Sequence, residues 1–228
     1  MSPLSKADIA RRMDHAALKP AMTDDDIRAA AAMCKARGVG NLCVRPTDAA
    51  LAVGLLKGSG VTVSVVVGFP HGASRPDVKA LEARLAIADG ADELDMVMNV
   101  GKFLSGDYAF VERDIAAVVA EARPRGVRVK VILETCLLTP EQTAAACGLA
   151  VAAGADFVKT STGFNGDGAT PAAVAAMLTA CAGRAKVKAS GGIRDWNQAV
   201  YFLEMGADRL GVGAADTLLD GAPAVGGY

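Results

Sequence analysis

The chain has 228 residues, 52% hydrophobic and 21% charged, with 24 basic against 25 acidic side chains. This is a globular composition that excludes a disordered or fibrous chain, and the charge balance removes the electrostatic case for nucleic acid or an anionic membrane as partner. Five cysteines without a C-x-x-C pair make neither a disulfide framework nor a zinc ribbon. The two histidines, His15 and His71, have no ligand partner three or four residues away, so no metal site is expected.

In chain order, Met1 to Arg12 carries no apolar export segment, and the longest apolar stretch, Ala144 to Ala153, is too short to span a bilayer. A cytoplasmic protein is expected. A first strand is predicted around Ile9 to His15. A helix then opens at Thr23, with Asp24, Asp25 and Asp26 in its first turn. From there one pattern returns: a helical stretch ends at a glycine, a short spacer follows, and a β-branched or apolar run begins. Gly38-Val39-Gly40 precedes Leu42-Cys43-Val44. Gly60 precedes Val61-Thr62-Val63, and the apolar run continues to Val67 before the turn Gly68-Phe69-Pro70-His71-Gly72. Gly90-Ala91-Asp92 precedes Leu94-Asp95-Met96-Val97. Ile115, Val118, Val119 and Ala122 mark one face of a helix that leads to Gly126 and the run Val127 to Leu133. Thr139-Pro140-Glu141 gives the next helix a cap, a first-turn proline and an acid, and Gly154-Ala155-Asp156 then precedes Phe157-Val158-Lys159. Thr170-Pro171 repeats that start, and Gly183 precedes Lys186 to Ala189. Trp196 stands at a helix start as packing, Val200, Leu203 and Met205 follow, and Gly206-Ala207-Asp208 precedes Arg209-Leu210-Gly211.

The seven cap glycines lie 22 to 36 residues apart, the length of one strand, one helix and two short loops. With the upstream strand this makes eight β/α units without a linker or composition shift. The fold predicted is a single-domain (β/α)8 barrel over residues 1–228, with a short tail near 221–228. An open doubly wound sheet, the competitor, usually has fewer units and a glycine-rich turn after its first strand, which this chain lacks.

Chemistry in such a barrel sits at the C-terminal ends of the strands and in the loops that follow. The polar residues expected there are Asp14 and Lys19 after strand 1, Cys43 and Arg45 after strand 2, and Asp95 and Asn99 on strand 4. Lys130 and Glu134 follow along strand 5, then Lys159 with Thr160-Ser161-Thr162, and Lys188 with Ser190. Alternation turns Glu93, Asp95, Val97 and Asn99 to one side and Leu94, Met96 and Met98 to the other. Lys159 and Lys188 sit inside short apolar strands. Burial and a neighbouring cation both push an ammonium toward the neutral form, a nucleophile able to make a Schiff base with a carbonyl. The alternative is that each lysine pairs with a carboxylate, Asp95 or Glu134. Two glycine turns, Ser190-Gly191-Gly192-Ile193-Arg194-Asp195 and Gly211-Val212-Gly213, stand where loops of this fold bind phosphate through backbone N–H groups. Thr160-Ser161-Thr162-Gly163-Phe164 offers further hydroxyl and amide donors. Cys43 reads as a small buried side chain, since no histidine stands near it in sequence.

The sequence resembles the deoxyribose-phosphate aldolase family from Met13 to the C-terminus. The segments that carry the likeness are Met13-Asp14-His15 with Leu18-Lys19-Pro20, Leu42 to Pro46, Val67 to Gly72, Glu93 to Gly101, Val129 to Thr135, Asp156 to Phe164 and Val187 to Arg194. The resemblance implies a class I aldolase that reversibly cleaves 2-deoxy-D-ribose 5-phosphate to acetaldehyde and D-glyceraldehyde 3-phosphate, without a cofactor. It implies Lys159 as the Schiff-base lysine, Lys188 as the second lysine that perturbs it, and Asp95 as the acid of the proton relay. It makes the terminal Tyr228 a group in proton exchange at the acetaldehyde carbon. Gly163, Gly191, Gly192 and Gly211 match turns that hold the phosphate. Asp14, Lys19, Cys43, Lys130, Thr162 and Gly213 complete the expected substrate site. Two departures stand out: the stretch Gly211-Val212-Gly213-Ala214-Ala215, with Gly213 and Ala214, after strand 8 where serines are common, and Ala16 where a threonine is usual. The missing serines motivate one alternative, a Schiff-base aldolase for an unphosphorylated or different aldehyde; a non-catalytic phosphosugar-binding barrel is the other, and the retained Lys159, Lys188 and Asp95 argue against it. The partners expected are aldehydes and sugar phosphates, and a homodimer is compatible with the sequence.

Overall fold

The computed structural model describes residues 4–222. The elements run α1 (Lys6–Arg11), β1 (Met13–Ala17), α2 (Asp24–Arg37), β2 (Asn41–Val44), α3 (Ala49–Leu56), β3 (Thr62–Val67), α4 (Pro76–Ala88) and β4 (Glu93–Val97). They continue with α5 (Val100–Leu104), α6 (Tyr108–Ala122), β5 (Arg128–Ile132), α7 (Pro140–Ala152), β6 (Phe157–Lys159), α8 (Pro171–Cys181), β7 (Lys186–Ser190), α9 (Trp196–Glu204), β8 (Arg209–Val212) and α10 (Ala215–Leu219). The eight strands pair in sequence order, all parallel, and β8 returns to β1 to close the predicted barrel. Each of the seven cap glycines has a positive φ, from 66° at Gly38 to 111° at Gly206.

Strand alternation then sorts the side chains. Leu94, Met96, Val131, Val158, Val187 and Leu210 point outward into the layer between sheet and helices, each buried there at roughly 1.5–3 kcal/mol for the larger ones. The inward positions hold Asp14, Glu93, Asp95, Lys130, Lys159 and Lys188, all buried. Thr23 and Thr139 are capping-box residues and Thr170 caps α8, as their sequence contexts indicate.

The first strand lies later than expected. Ile9 to Arg11 belongs to α1, where Ser5 Oγ accepts the Asp8 N–H at 3.2 Å and the Asp8 carboxylate accepts the Ser5 N–H at 3.2 Å. The helix end meets the floor of the barrel at Gly40, whose N–H donates to Ala10 O; a Cβ there would lie 2.0 Å from the Arg11 carbonyl oxygen.

The repeated Gly-Ala-Asp has a job beyond capping. Asp92, Asp156 and Asp208 accept the backbone N–H groups of Val63, Val129 and Val187 at 2.8, 2.8 and 2.9 Å. Each carboxylate ties the start of an even-numbered strand to the strand before it. Behind the sheet, Lys79 of α4 and Asp114 of α6 form a fully buried ion pair at 2.5 Å, and Lys79 Nζ also donates to Val97 O at the end of β4.

Candidate active site

Six strands deliver charge to the barrel interior. The register sets Asp95 beside Lys130 and Lys159 beside Lys188. Asp95 is the hub: Oδ1 accepts from Lys130 Nζ at 2.7 Å, while Oδ2 accepts from Lys159 at 2.9 Å and Lys188 at 2.8 Å. Asp14, on β1, closes the ring. Its Oδ2 takes a bond from Lys188, and its Oδ1 takes two from the Arg209 guanidinium, at 2.8 and 2.5 Å. Glu93 lies below, in ion pairs with Lys130 and Arg128.

The opposite wall is apolar. Leu18, Cys43 and Val66 are buried together, with Ala16, Phe69 and Phe164 packed on them. Phe69 meets Phe164 edge-to-face at 5.2 Å, bridging the loops after β3 and β6. Burial pushes the Cys43 thiol above its ordinary pKa, so it is a small apolar wall group and not a thiolate. It lies within β2 itself, not after it.

Above the lysines the loops after β6 and β7 touch backbone to backbone. Ala169 N–H donates to the carbonyls of Ser190 and Gly191, and a Cβ on Gly168 would lie 2.1 Å from Gly191 C and O. Gly163, Gly191 and Gly192 all have φ between 72° and 83°. The amides of Gly163, Gly192 and Gly213 meet no backbone acceptor among the described residues.

The chain from Ile9 to Ala215, residues 9–215, matches the model of the DeoC/LacD family aldolases. The chain belongs to that family. Among relatives, a deoxyribose-phosphate aldolase of Thermococcus kodakarensis is 46% identical over 96% of this chain and 99% of its own length. One of Streptococcus sanguinis is 49% identical over 95% and 97%. A tetrameric deoxyribose phosphate aldolase from Aeropyrum pernix superposes with a TM-score of 0.89 at 34% identity, covering 95% of this chain and 91% of that one.

Several expectations change on this aldolase. The lysines are not neutral at rest. Burial lowers the pKa of Lys159, but Asp95 at 2.9 Å outweighs it and holds the group above the usual lysine range. Lys188 is likewise pushed down by burial and raised further by Asp14 and Asp95. Asp95, which burial alone would raise, is held well below the carboxylate range by Lys130, Lys159 and Lys188. Glu134 pairs with neither lysine. It bonds Thr162 and Asn165 instead. Asp14 lies within β1, not after it. Lys19 is exposed in the loop after β1, and Arg45 spends its guanidinium on Asp48 and the carbonyls of Lys19, Pro20 and Met22. Both lie outside the buried cluster. Gly211 belongs to β8, and its carbonyl accepts the Gly191 N–H at 3.4 Å; it is a strand residue that holds the Gly191 turn and is not itself a turn residue. Thr162 keeps its place, but its hydroxyl is committed to Glu134. Tyr228 lies outside the described residues. Sequence reasoning missed Arg209 and Gly168. Arg209 stood two residues before Gly211 at an inward position of β8, a signal the alternation rule could have supplied.

Proposed function

We propose that this chain cleaves 2-deoxy-D-ribose 5-phosphate reversibly into acetaldehyde and D-glyceraldehyde 3-phosphate, with Lys159 as the Schiff-base nucleophile. The observation that carries the assignment is Asp95 Oδ2, which lies within 2.9 Å of both the Lys159 and Lys188 ammonium groups. One oxygen can therefore take a proton from Lys159 and exchange it with Lys188.

The open-chain aldehyde enters along the apolar wall. Lys159 passes one proton to Asp95 and the freed amine attacks C1, giving a carbinolamine. Its hydroxyl takes a proton from the relay and leaves as water, and the imine nitrogen stays protonated. Asp95, acting through a water, then removes the C3 hydroxyl proton. The C3 oxygen forms the new carbonyl, C2–C3 breaks, and the electron pair passes to the iminium to give an enamine. Glyceraldehyde 3-phosphate leaves, the enamine carbon is protonated, and water releases acetaldehyde from Lys159. Tyr228 is assigned to that last carbon protonation. Lys130 and Asp14 hold the relay in place.

The phosphate is assigned to the amides of Gly163, Gly192 and Gly213 and to the turn at Gly191. Lys130, Lys159, Lys188 and Arg209 face Asp14, Glu93 and Asp95 in the interior, an excess of positive charge that suits an anionic sugar phosphate. A second reading, an aldolase for unphosphorylated aldehydes, is favoured by Gly213 and Ala214, which carry no hydroxyl for the phosphate.

Cytoplasmic residence is part of the proposal; among the described residues no helix is long and apolar enough to cross a membrane. So is a homo-oligomer, supported by Val78, Leu81 and Leu85, which line one exposed face of α4. Borohydride trapping with deoxyribose 5-phosphate, followed by peptide mapping, tests the assignment. A single adduct on the Lys159 peptide, absent from Lys159→Met, is expected. Adducts scattered over surface lysines would refute it, and equal kcat/KM for deoxyribose and its 5-phosphate would favour the second reading.

A further inference from the structure

The catalytic cycle above gives no task to Glu134. Its side chain is nonetheless 1% exposed, and its backbone sits at φ 57°, ψ 60°, a left-handed conformation that a residue with a Cβ resists. Such a conformation persists where the surroundings over-determine it, and it clusters at functional sites. The determinants are on both sides. The β5–β6 ladder continues past Glu134, with Leu133 N–H donating to Lys159 O and Thr135 N–H to Thr160 O, both at 2.9 Å. The residue between them is turned so that its carboxylate reaches over the strand end to the loop after β6.

Three donors meet that carboxylate. Thr162 N–H donates to Oε1 at 2.9 Å, while the Thr162 hydroxyl and Asn165 Nδ2 donate to Oε2 at 2.5 and 2.9 Å. The Thr162 hydroxyl in turn accepts the Phe164 N–H at 3.1 Å, and Asn165 Nδ2 also reaches Pro70 O at 3.3 Å. The turn 162–165 is thus fixed from below by one buried anion and latched to the loop after β3. Within it the Thr162 and Phe164 amides are consumed, and the Gly163 and Asn165 N–H groups meet no acceptor among the described residues.

We propose that Glu134 is a positioning residue for the phosphorylated end of the substrate: it presets the 162–165 turn so that Gly163 N–H and the Phe69–Phe164 contact stand ready before the substrate arrives. This rests on the phosphate assignment made above. The specificity of the enzyme for a phosphorylated over an unphosphorylated sugar then depends on a carboxylate that touches neither.

Glu134→Gln keeps the shape but puts an NH2 group where an acceptor is needed, so one donor of the turn loses its partner. Two measurements test it. In hydrogen exchange the peptide spanning 160–166 is expected to exchange faster by about tenfold, with the peptides of β1 and β2 as unaltered controls for folding. In steady-state kinetics the ratio of kcat/KM for deoxyribose 5-phosphate over deoxyribose is expected to fall about tenfold, through KM and not through kcat. Thr162→Val, which removes the hydroxyl from the other side of the same bond, should move both readouts in the same direction. It stands in for Glu134→Gln should that variant fail to fold. Unchanged exchange in the turn overturns the proposal, as does faster exchange with an unchanged ratio or a loss confined to kcat. A wild-type chain that traps acetaldehyde on Lys159 but does not process the 5-phosphate would refute the substrate assignment instead. The exchange experiment would still decide whether Glu134 holds the turn.

Discussion

The molecule buries ion pairs of lysine and aspartate both inside the barrel and behind the sheet, and treats them in opposite ways. Inside the barrel, Asp95 faces three ammonium groups, and the result is reinforcement: the lysines move up and the acids move down. Between α4 and α6, Lys79 bonds one carboxylate, Asp114, with a weaker pull from Glu82. There burial outweighs the partner, so Lys79 is lowered and Asp114 raised, each toward its neutral form. Asp114 Oδ1 has no hydrogen-bond partner among the described residues. Solvent is excluded from both sites. The number of opposite charges within reach decides whether a buried ion keeps its charge, and only a site with several can move a proton among them and remain charged.

The largest test of this contrast removes the hub. Asp95→Asn leaves Lys159 and Lys188 side by side without their shared anion. The kcat for deoxyribose 5-phosphate cleavage is expected to fall by about 10²–10⁴-fold, the range for loss of a general acid–base group. With Asp14 on Lys188 as the remaining opposing charge, burial and mutual repulsion weigh more, and the lysine limb of the pH–rate profile should move to lower pH. A profile that stays in place would contradict the reinforcement described above.

Next in size is the isolated pair. Lys79→Met strands Asp114 and should destabilise the fold by about 3–5 kcal/mol in urea at pH 7, whereas Lys79→Met with Asp114→Leu should recover most of that loss. Asp114 already lies above the carboxylate range, so the single variant should lose less at pH 5, where the acid can go neutral.

His15 extends the comparison to a group with no partner in contact. It is buried on the outer side of β1 with Nδ1 unpaired among the described residues, and burial takes its pKa from 6.5 down to about 4, against a small opposing pull from Asp216. The unfolded chain binds a proton near pH 6.5 that the folded chain refuses until about 4. Stability from this group is therefore complete above 6.5 and drains away as pH falls toward 4, by about 3 kcal/mol in all. Thermal melts of His15→Asn should lack that slope, and an identical slope would place the acid sensitivity elsewhere.

Much of this was legible because the signals are local. A glycine after a helix, a Thr-Pro start and a period-2 strand each report a conformation that neighbouring residues enforce, so the barrel and the inward placing of Asp95 could be read directly. The α1 helix was misread as a strand although Ser5-Lys6-Ala7-Asp8 is itself a capping box; six residues give too little periodicity to compete with the apolar Ile9-Ala10. What stayed hidden was pairing. That Asp95 would serve three lysines, that Arg209 would hold Asp14, and that Glu134 would face a threonine and not an ammonium all depend on register between strands far apart in sequence. Burial is visible in a strand's composition, and a partner 174 residues away, as for Asp14 and Lys188, is not. The error on the lysines' charge came from that gap.

The aspartates of the Gly-Ala-Asp turns carry a lesson for rebuilding this barrel. Each ties β3 to β4, β5 to β6 or β7 to β8 at the floor by accepting a strand N–H, and among the described residues no turn aspartate accepts a strand N–H between β4 and β5 or β6 and β7. The wall is thus stapled in two-strand panels. A circular permutant opened between β4 and β5 or between β6 and β7 keeps every panel whole, while one opened between β5 and β6 puts the two ends of a staple at opposite termini. Recombining such barrels panel by panel, with seams after β4 and β6, respects the joints the chain already has.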